Sequence, residues 1–285
     1  MKKRRGLLVI IVMLIGFMAY HSGVFSEKIA YMKDDHAKLE NVKSIDITKD
    51  AIYQGDLLLV NRDYPIQPES VKKDVISLIE HPEIVQGYGL LDTNILLSQE
   101  IAENFSDVVQ AAETDGIHHF MINSGYRDFE EQQALYARKG SSYALPAGYS
   151  EHNIGVSLDV GSTQGKMETA SEGKWLRENA WKYGFILRYP EDKTAITNIQ
   201  YEPWHIRYVG MPHSAIMHDQ GFVLEEYIDY LRAEGRVSVR LYGIQYTIQY
   251  YPVTEPMEMK VPVNHDYQIS GNNVDGVIVT IAQKD

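Results

Sequence analysis

Four residues in two short blocks hold the chemistry that can be read from this chain. His152 and Asp159 belong to Ser150-Glu151-His152-Asn153-Ile154-Gly155-Val156-Ser157-Leu158-Asp159, and Glu202 and His205 to Glu202-Pro203-Trp204-His205. Two imidazoles and a carboxylate are a sufficient ligand set for a catalytic zinc, which takes three protein ligands and keeps a fourth position open. A further carboxylate three residues before the last His can act as general base. Taken singly, each is an ordinary packed or surface residue. His81, His118, His119, His213 and His218 stand in unremarkable settings, whereas His152 and His205 are embedded among Gly, Trp, Arg and acidic residues.

The positioning elements follow from local pattern. In a strand, side chains two apart share a face, so Ser157 and Asp159 point one way while Val156, Leu158 and Val160 point into the core. Asp159 then sits on a polar face with apolar backing; without the His152 spacing it would read as a cap or turn acid before Gly161. Pro203 is excluded from a helix interior but can open a tight turn, which would bring Glu202 and His205 to one side. Trp204 reads as a packing wall. Arg127 is open to two readings from the residues alone. It can be a cation for a developing oxyanion, or a surface partner of Asp128 or Glu131. No Gly-x-Ser-x-Gly elbow is present, and no Ser-x-x-Lys with accessory motifs, so a serine nucleophile is disfavoured.

The wording of these blocks resembles the VanY-type D-alanyl-D-alanine carboxypeptidases. The matching stretches are Ser124-Gly125-Tyr126-Arg127, Gln132, Ser150 to Asp159, and Glu202-Pro203-Trp204-His205-Ile206-Arg207-Tyr208-Val209-Gly210, in family order across about residues 55 to 231. The resemblance implies an α+β zinc D,D-peptidase fold, a mixed sheet flanked by helices. It also implies a zinc enzyme that trims terminal D-alanine from peptidoglycan stems and supports glycopeptide resistance. It assigns the metal to His152, Asp159 and His205, the catalytic roles to Glu202 and Arg127, and substrate contact to Gln132 and Ser150. Arg207 is left open between site and scaffold. Neighbouring readings are an L,D-carboxypeptidase on tetrapeptide stems and a non-catalytic wall-binding module; retention of Glu202 argues against the latter, since a pure binder needs no base.

The chain has 285 residues, 44% hydrophobic, with a net charge of -12. Lys2, Lys3, Arg4 and Arg5 belong to the 27 basic residues, so the remainder is more acidic still. That argues against a nucleic-acid partner, which requires clustered Lys and Arg. Those four residues precede an apolar run from Gly6 to Tyr20, which reads as a signal anchor with the basic end cytoplasmic and the rest outside. The expectation is a single-pass protein of a Gram-positive cell membrane. With no cysteine, disulfides and thiolate ligands are excluded.

Four regions are expected: a basic segment and anchor (1–25), a stalk (26–50), the catalytic domain (51–235) and a small β appendage (236–285). Leu57 to Val60 reads as a buried strand. Val71, Val75, Leu78 and Ile79 recur at helical spacing. Ser98 is an N-cap candidate, followed by Ile101, Phe105, Val108, Val109 and Ala112 along one helix face. Helices are also expected at 128–138 and 174–183, and strands at 120–122, 185–187 and 206–209. Alternation at Val237, Val239 and Leu241, then Ile244 to Tyr250, Met257 to Val263 and Val277 to Ile281, predicts the appended sheet. It either packs on the catalytic domain or meets the wall or a partner.

Overall fold

A computed structural model of the chain describes residues 28–33 and 41–284. The basic segment and apolar run at 1–25 lie outside the described residues. Among those described, no helix is long and apolar enough to cross a membrane.

The first half of the chain alternates short strands and turns with helices. Strands β1 (Ala30–Tyr31) and β2 (Val42–Ile47) come first, then β3 (Val75–Ser77), β4 (Tyr88–Leu90) and β5 (Leu96–Ser98). Helix α1 (Gln99–Thr114) leads to β6 (Phe120–Ser124) and α2 (Phe129–Lys139). Next are β7 (Ser157–Ser162), α3 (Ser171–Asn179), β8 (Phe185–Leu187), α4 (Thr194–Thr197) and β9 (His205–Tyr208). Two helices, α5 (His213–Gln220) and α6 (Leu224–Glu234), lead into β10 (Arg236–Leu241), β11 (Ile244–Pro252), β12 (Met257–Pro262), β13 (Asp266–Gly271) and β14 (Gly276–Lys284).

Two five-stranded sheets dominate. The first runs β4-β6-β7-β9-β8. It is mixed, since β4 is parallel to β6 while the other pairs are antiparallel. The amphipathic α1 covers it. Ser98 Oγ accepts from the Ile101 N–H at the helix start, and Ile101, Phe105, Val108, Val109 and Ala112 are fully buried, as their spacing predicts. Phe105 makes edge-on contacts with Tyr88, Phe120 and Phe185. This core backs the face of β7 opposite Asp159, through Leu158 and Val160.

The second sheet runs β1-β10-β11-β14-β13, antiparallel throughout. Here the segment read as a stalk differs from its expectation. β1 pairs with β10, and β2 pairs with β12 from Val42↔Pro262 to Ile47↔Met257. Their partners lie some two hundred residues away in sequence, so no local pattern could show the pairing. The sheet of 236–285 packs on the helices that precede it, the first of its two readings. Val237, Val239, Ile248 and Ile278 share one core with Ile216, Leu224, Tyr227 and Ile228 of α5 and α6.

Two smaller expectations also change. Leu57 to Val60 is buried and extended but joins no ladder. Its backbone is satisfied instead by the 270–273 turn: the Leu57 N–H donates to Ser270 Oγ, the Leu59 N–H to the Asn272 carbonyl, and Asn273 Nδ2 to the Leu59 carbonyl. The helical spacing at Val71 to Ile79 resolves into β3 and a 3-10 turn at Leu78–Glu80, because Val75 to Ser77 pair with β5.

Candidate active site

Three neighbouring strands place the polar cluster. Asp159 on β7 is in register with Ser124 at the end of β6 on one side and with His205 at the start of β9 on the other. A register shift in β6 between Ile122 and Ser124 realigns the strand just before Ser124, the re-aiming a bulge provides near functional sites. His205 enters β9 from the turn that Pro203 opens, closed by the His205 N–H donating to the Glu202 carbonyl at 3.1 Å. His152 lies on a one-turn 3-10 helix, Glu151–Asn153, capped by Ser150, whose Oγ accepts the His152 N–H.

The 3-10 turn is tied to the segment between β6 and α2. The Arg127 N–H donates to the His152 carbonyl, and Asn153 Nδ2 donates to the carbonyls of Arg127 and Asp128. Gly125 is required at the crossing, because a Cβ there would stand 2.2 Å from the Leu96 carbonyl oxygen. Gly155 closes the turn at φ +83, a left-handed backbone that favours glycine.

One ligand atom from each of His152, Asp159 and His205 lies within 4.8 Å of the others. His152 Nε2 is 3.3 Å from His205 Nδ1, and Asp159 Oδ1 is 3.4 Å from the former and 3.2 Å from the latter. Both rings are buried and meet edge-on. The other nitrogen of each ring has its own neighbour: His152 Nδ1 lies 2.5 Å from the Gly125 carbonyl, and His205 Nε2 lies 3.4 Å from Glu151 Oε2. The donor set, two imidazoles and a carboxylate with one side open to a cavity, fits zinc.

Electrostatics set the cluster apart. Burial alone would raise the Asp159 carboxyl, but the two imidazoles outweigh it and hold the group well below the carboxylate range. Burial and then the Arg127 charge lower His152 to about 4. For His205, burial is overcome by hydrogen bonds to Asp159 and Glu151, which raise it to about 9. Glu202, 3.9 Å from His205 Nδ1, is pushed by burial up to about 7. Asp159 adds to that rise, while His205 and Arg127 oppose it. A carboxyl with a pKa near the working pH suits a group that takes and returns a proton.

Arg127 stands beside the cluster. Its Nη1 donates to Ser124 Oγ at 2.8 Å and approaches Asp159 Oδ2 at 3.4 Å, and its Nε donates to Gln132 Oε1 at 2.9 Å. It makes no pair with Asp128 or Glu131; these two form the capping box that starts α2. A cavity of about 1060 Å³ opens over the cluster, lined by Arg127, His152, Asp159, Glu202, Trp204 and His205, with α2 side chains on its far wall.

The structure thus brings together His152, Asp159, His205, Glu202 and Arg127. Gln132 and Ser150 are not on the cavity wall. Gln132 is buried behind Arg127, with its Nε2 donating to the Leu145 carbonyl, and Ser150 is the buried cap behind His152. Arg207 is scaffold: it is fully buried, donates to the carbonyls of Asp56, Leu58 and Tyr208, and lies 2.7 Å from Glu151 Oε1. Sequence reasoning passed over Glu151. Its one local signal is an acid between the cap and the ligand in Ser150-Glu151-His152.

Fold and cluster together define an α+β peptidase of the D,D-peptidase class with a candidate metal site. The VanY family, D-alanyl-D-alanine carboxypeptidase, matches residues 94–211. A D-alanyl-D-alanine carboxypeptidase of Enterococcus faecium is 55% identical, covering 96% of this chain and 94% of that one. The chain belongs to the VanY family of D-alanyl-D-alanine carboxypeptidases. Among solved structures, the vancomycin-resistance D,D-dipeptidase VanXYg, in complex with a D-Ala-D-Ala phosphinate analogue, superposes with a TM-score of 0.76 at 32% identity, over 86% of this chain and 100% of that one. A mutant VanY D,D-pentapeptidase from a VanB-type cassette, in complex with Zn(II), matches with a TM-score of 0.51 at 30% identity, over 61% and 98%.

Proposed function

We propose that this chain is a zinc D,D-carboxypeptidase that releases the terminal D-alanine from peptidoglycan pentapeptide stems ending in D-Ala-D-Ala, and so supports glycopeptide resistance. The observation that carries the reading is the joint placement of His152 Nε2, Asp159 Oδ1 and His205 Nδ1 on the floor of a cavity that Glu202 and Arg127 also line. The Zn(II) complex of the VanB-type relative supports it, as does the D-Ala-D-Ala analogue bound by VanXYg.

His152, Asp159 and His205 would hold the ion, which when bound supplies Lewis acidity that acidifies water and polarises a carbonyl. Glu202 takes the proton from the attacking water and returns it to the leaving amine of D-alanine. Arg127 faces the carbonyl oxygen as charge develops there; its Nη2 has no protein acceptor among the described residues. Trp204 and Tyr126 wall the cavity and limit water. A dipeptide alone would leave much of about 1060 Å³ unfilled, so the volume favours a stem over free D-Ala-D-Ala. Residues 1–25 would hold the enzyme at the cell membrane with its catalytic part outside.

The test is mass spectrometry of products from synthetic tetra- and pentapeptide stems, with and without chelator. One D-alanine should leave the pentapeptide, only with metal present, and penicillin should not inhibit. Faster cleavage of the tetrapeptide would point to L,D-specificity, and equal cleavage of acid and C-terminal amide to an endopeptidase.

A further inference from the structure

Behind His205, away from the cavity, lies a buried assembly of charge. Glu151 is 1% exposed. Its Oε1 accepts from Arg188 Nε at 2.8 Å and lies 2.7 Å from Arg207 Nη1. Arg188 then forks onto Glu225 of α6, at 2.8 and 2.7 Å. Two carboxylates and two guanidiniums balance; Asn61 Nδ2 also donates to Glu225 Oε1 at 3.2 Å, and toward the cluster Glu151 Oε2 lies 3.4 Å from His205 Nε2. Replacing a buried ion assembly with apolar packing is often neutral or stabilising, so stability alone is a poor reason for this one.

We propose that Glu151 is a positioning residue: it accepts the Nε2–H of His205 and thereby fixes the tautomer whose Nδ1 lone pair faces the metal cluster. The inference rests on the zinc reading above. A neutral imidazole carries one proton, and the nitrogen that holds it is set by the acceptor it finds. With no acceptor at Nε2, part of the His205 population would carry its proton on Nδ1 and could not ligate. His152 obeys the same rule in mirror form. The Gly125 carbonyl faces its Nδ1, which leaves Nε2 for the cluster. Backbone serves for His152, but no carbonyl faces Nε2 of His205 among the described contacts. A side-chain acceptor is needed there, and Arg188 and Arg207 hold the Glu151 side chain in place.

Two measurements test this on the full chain. In the zinc-loaded protein with ¹⁵N-labelled histidine, His205, assigned by difference from His205→Gln, should show a protonated Nε2 and a metal-bound Nδ1. The reverse pattern overturns the proposal. In parallel, Glu151→Gln can still accept from the arginines, but it puts an amide where the second carboxylate oxygen stood. It should weaken zinc about 10- to 100-fold in chelator competition, the usual scale for such partners. Glu225→Gln, which loosens only the outer fork, should lower thermal stability and leave zinc affinity unchanged. Equal weakening by both variants, or none in a folded Glu151→Gln, overturns the proposal. If Glu151→Gln fails to fold, the NMR pattern of the unmutated protein decides. A wild-type chain that binds no zinc would instead sink the proposed function.

Discussion

The two five-stranded sheets solve opposite problems. In the sheet β4-β6-β7-β9-β8 the strands are three to six residues long, one register is shifted, and a row across three strands carries Ser124, Asp159 and His205. In the sheet β1-β10-β11-β14-β13, β11 and β14 pair without a break over nine residues, from Ile244↔Lys284 to Pro252↔Gly276. Both its faces are buried, Val237, Val239, Ile248 and Ile278 in one core and Val277, Val279 and Ile281 in another. The first sheet buries titratable groups and needs Arg188, Arg207 and Glu151 behind it to keep them in place. The second buries aliphatic side chains and needs only their complementary shapes. Where chemistry is carried, pairing is irregular and charge is dense; where only support is needed, the ladder is unbroken.

The sharpest test of this division is the removal of a ligand. Asp159→Ala should lose zinc and bring turnover to background, with far-UV circular dichroism unchanged; metal analysis after dialysis checks it. A variant that kept both zinc and activity would place the centre elsewhere.

Glu202→Ala should keep zinc and lose about 10²-fold or more in turnover, the scale of an acid–base group. The pH dependence has a defined sign. As the proposed base Glu202 must be ionised, and burial holds it at about 7 in the metal-free site. Activity should therefore fall as pH drops through a value at or below about 7, since a bound cation lowers it further. In the metal-free protein the same shift is a stability statement. The folded carboxyl binds protons more readily than the unfolded one at 4.5, so stability is lost as pH rises from that value through about 7. Above it the cost is on the order of 3 kcal/mol, and metal-free Glu202→Gln should melt higher than the unmutated protein there. Equal melting temperatures would mean that Glu202 is not desolvated.

A smaller effect is expected at Arg127. Lys keeps the charge but loses the planar fork that reaches Ser124 and Gln132 together. Arg127→Lys should lower kcat about tenfold or more with little change in KM. An unchanged kcat with a raised KM would move Arg127 from the reacting carbonyl to binding of the substrate carboxylate.

Much of this was legible in the sequence because the signals are local. The face of α1 could be read from its spacing. So could the alternation of residues on β7 and the turn before His205, since each lies within a few residues. The pairings of β1 and β2 with β10 and β12 were not legible, because a two-residue strand and a largely exposed one give little sign of their distant partners. The placement of Gln132 beside Arg127 and of Ser150 beside His152 was not legible for a related reason. A polar residue inside a functional block can face the substrate or stand behind the residue that does, and the sequence does not distinguish the two. Glu151, adjacent to His152, was hidden because its partners Arg188 and Arg207 reach it only in the folded chain.

The smallest effect on turnover is expected from the second sheet, and it tests whether support is all that sheet provides. Ile248 on β11 is fully buried in the core shared with α5 and α6. Removing its side chain leaves a cavity that neighbours on two helices and two strands cannot easily fill. Ile248→Ala should therefore destabilise the protein by about 2–5 kcal/mol, seen as a lower denaturant midpoint. Neither His152, Asp159 nor His205 belongs to that core, so kcat, KM and zinc affinity should stay at their unmutated values wherever the variant is folded. The route by which they could change is through α6, whose Glu225 is forked onto Arg188 and, through Glu151, reaches His205. A drop in zinc affinity in folded Ile248→Ala, absent in a β2–β12 variant such as Val261→Ala, would show that strain in the supporting sheet travels along this chain of charges. The two sheets would then be one mechanical unit rather than a site and its buttress.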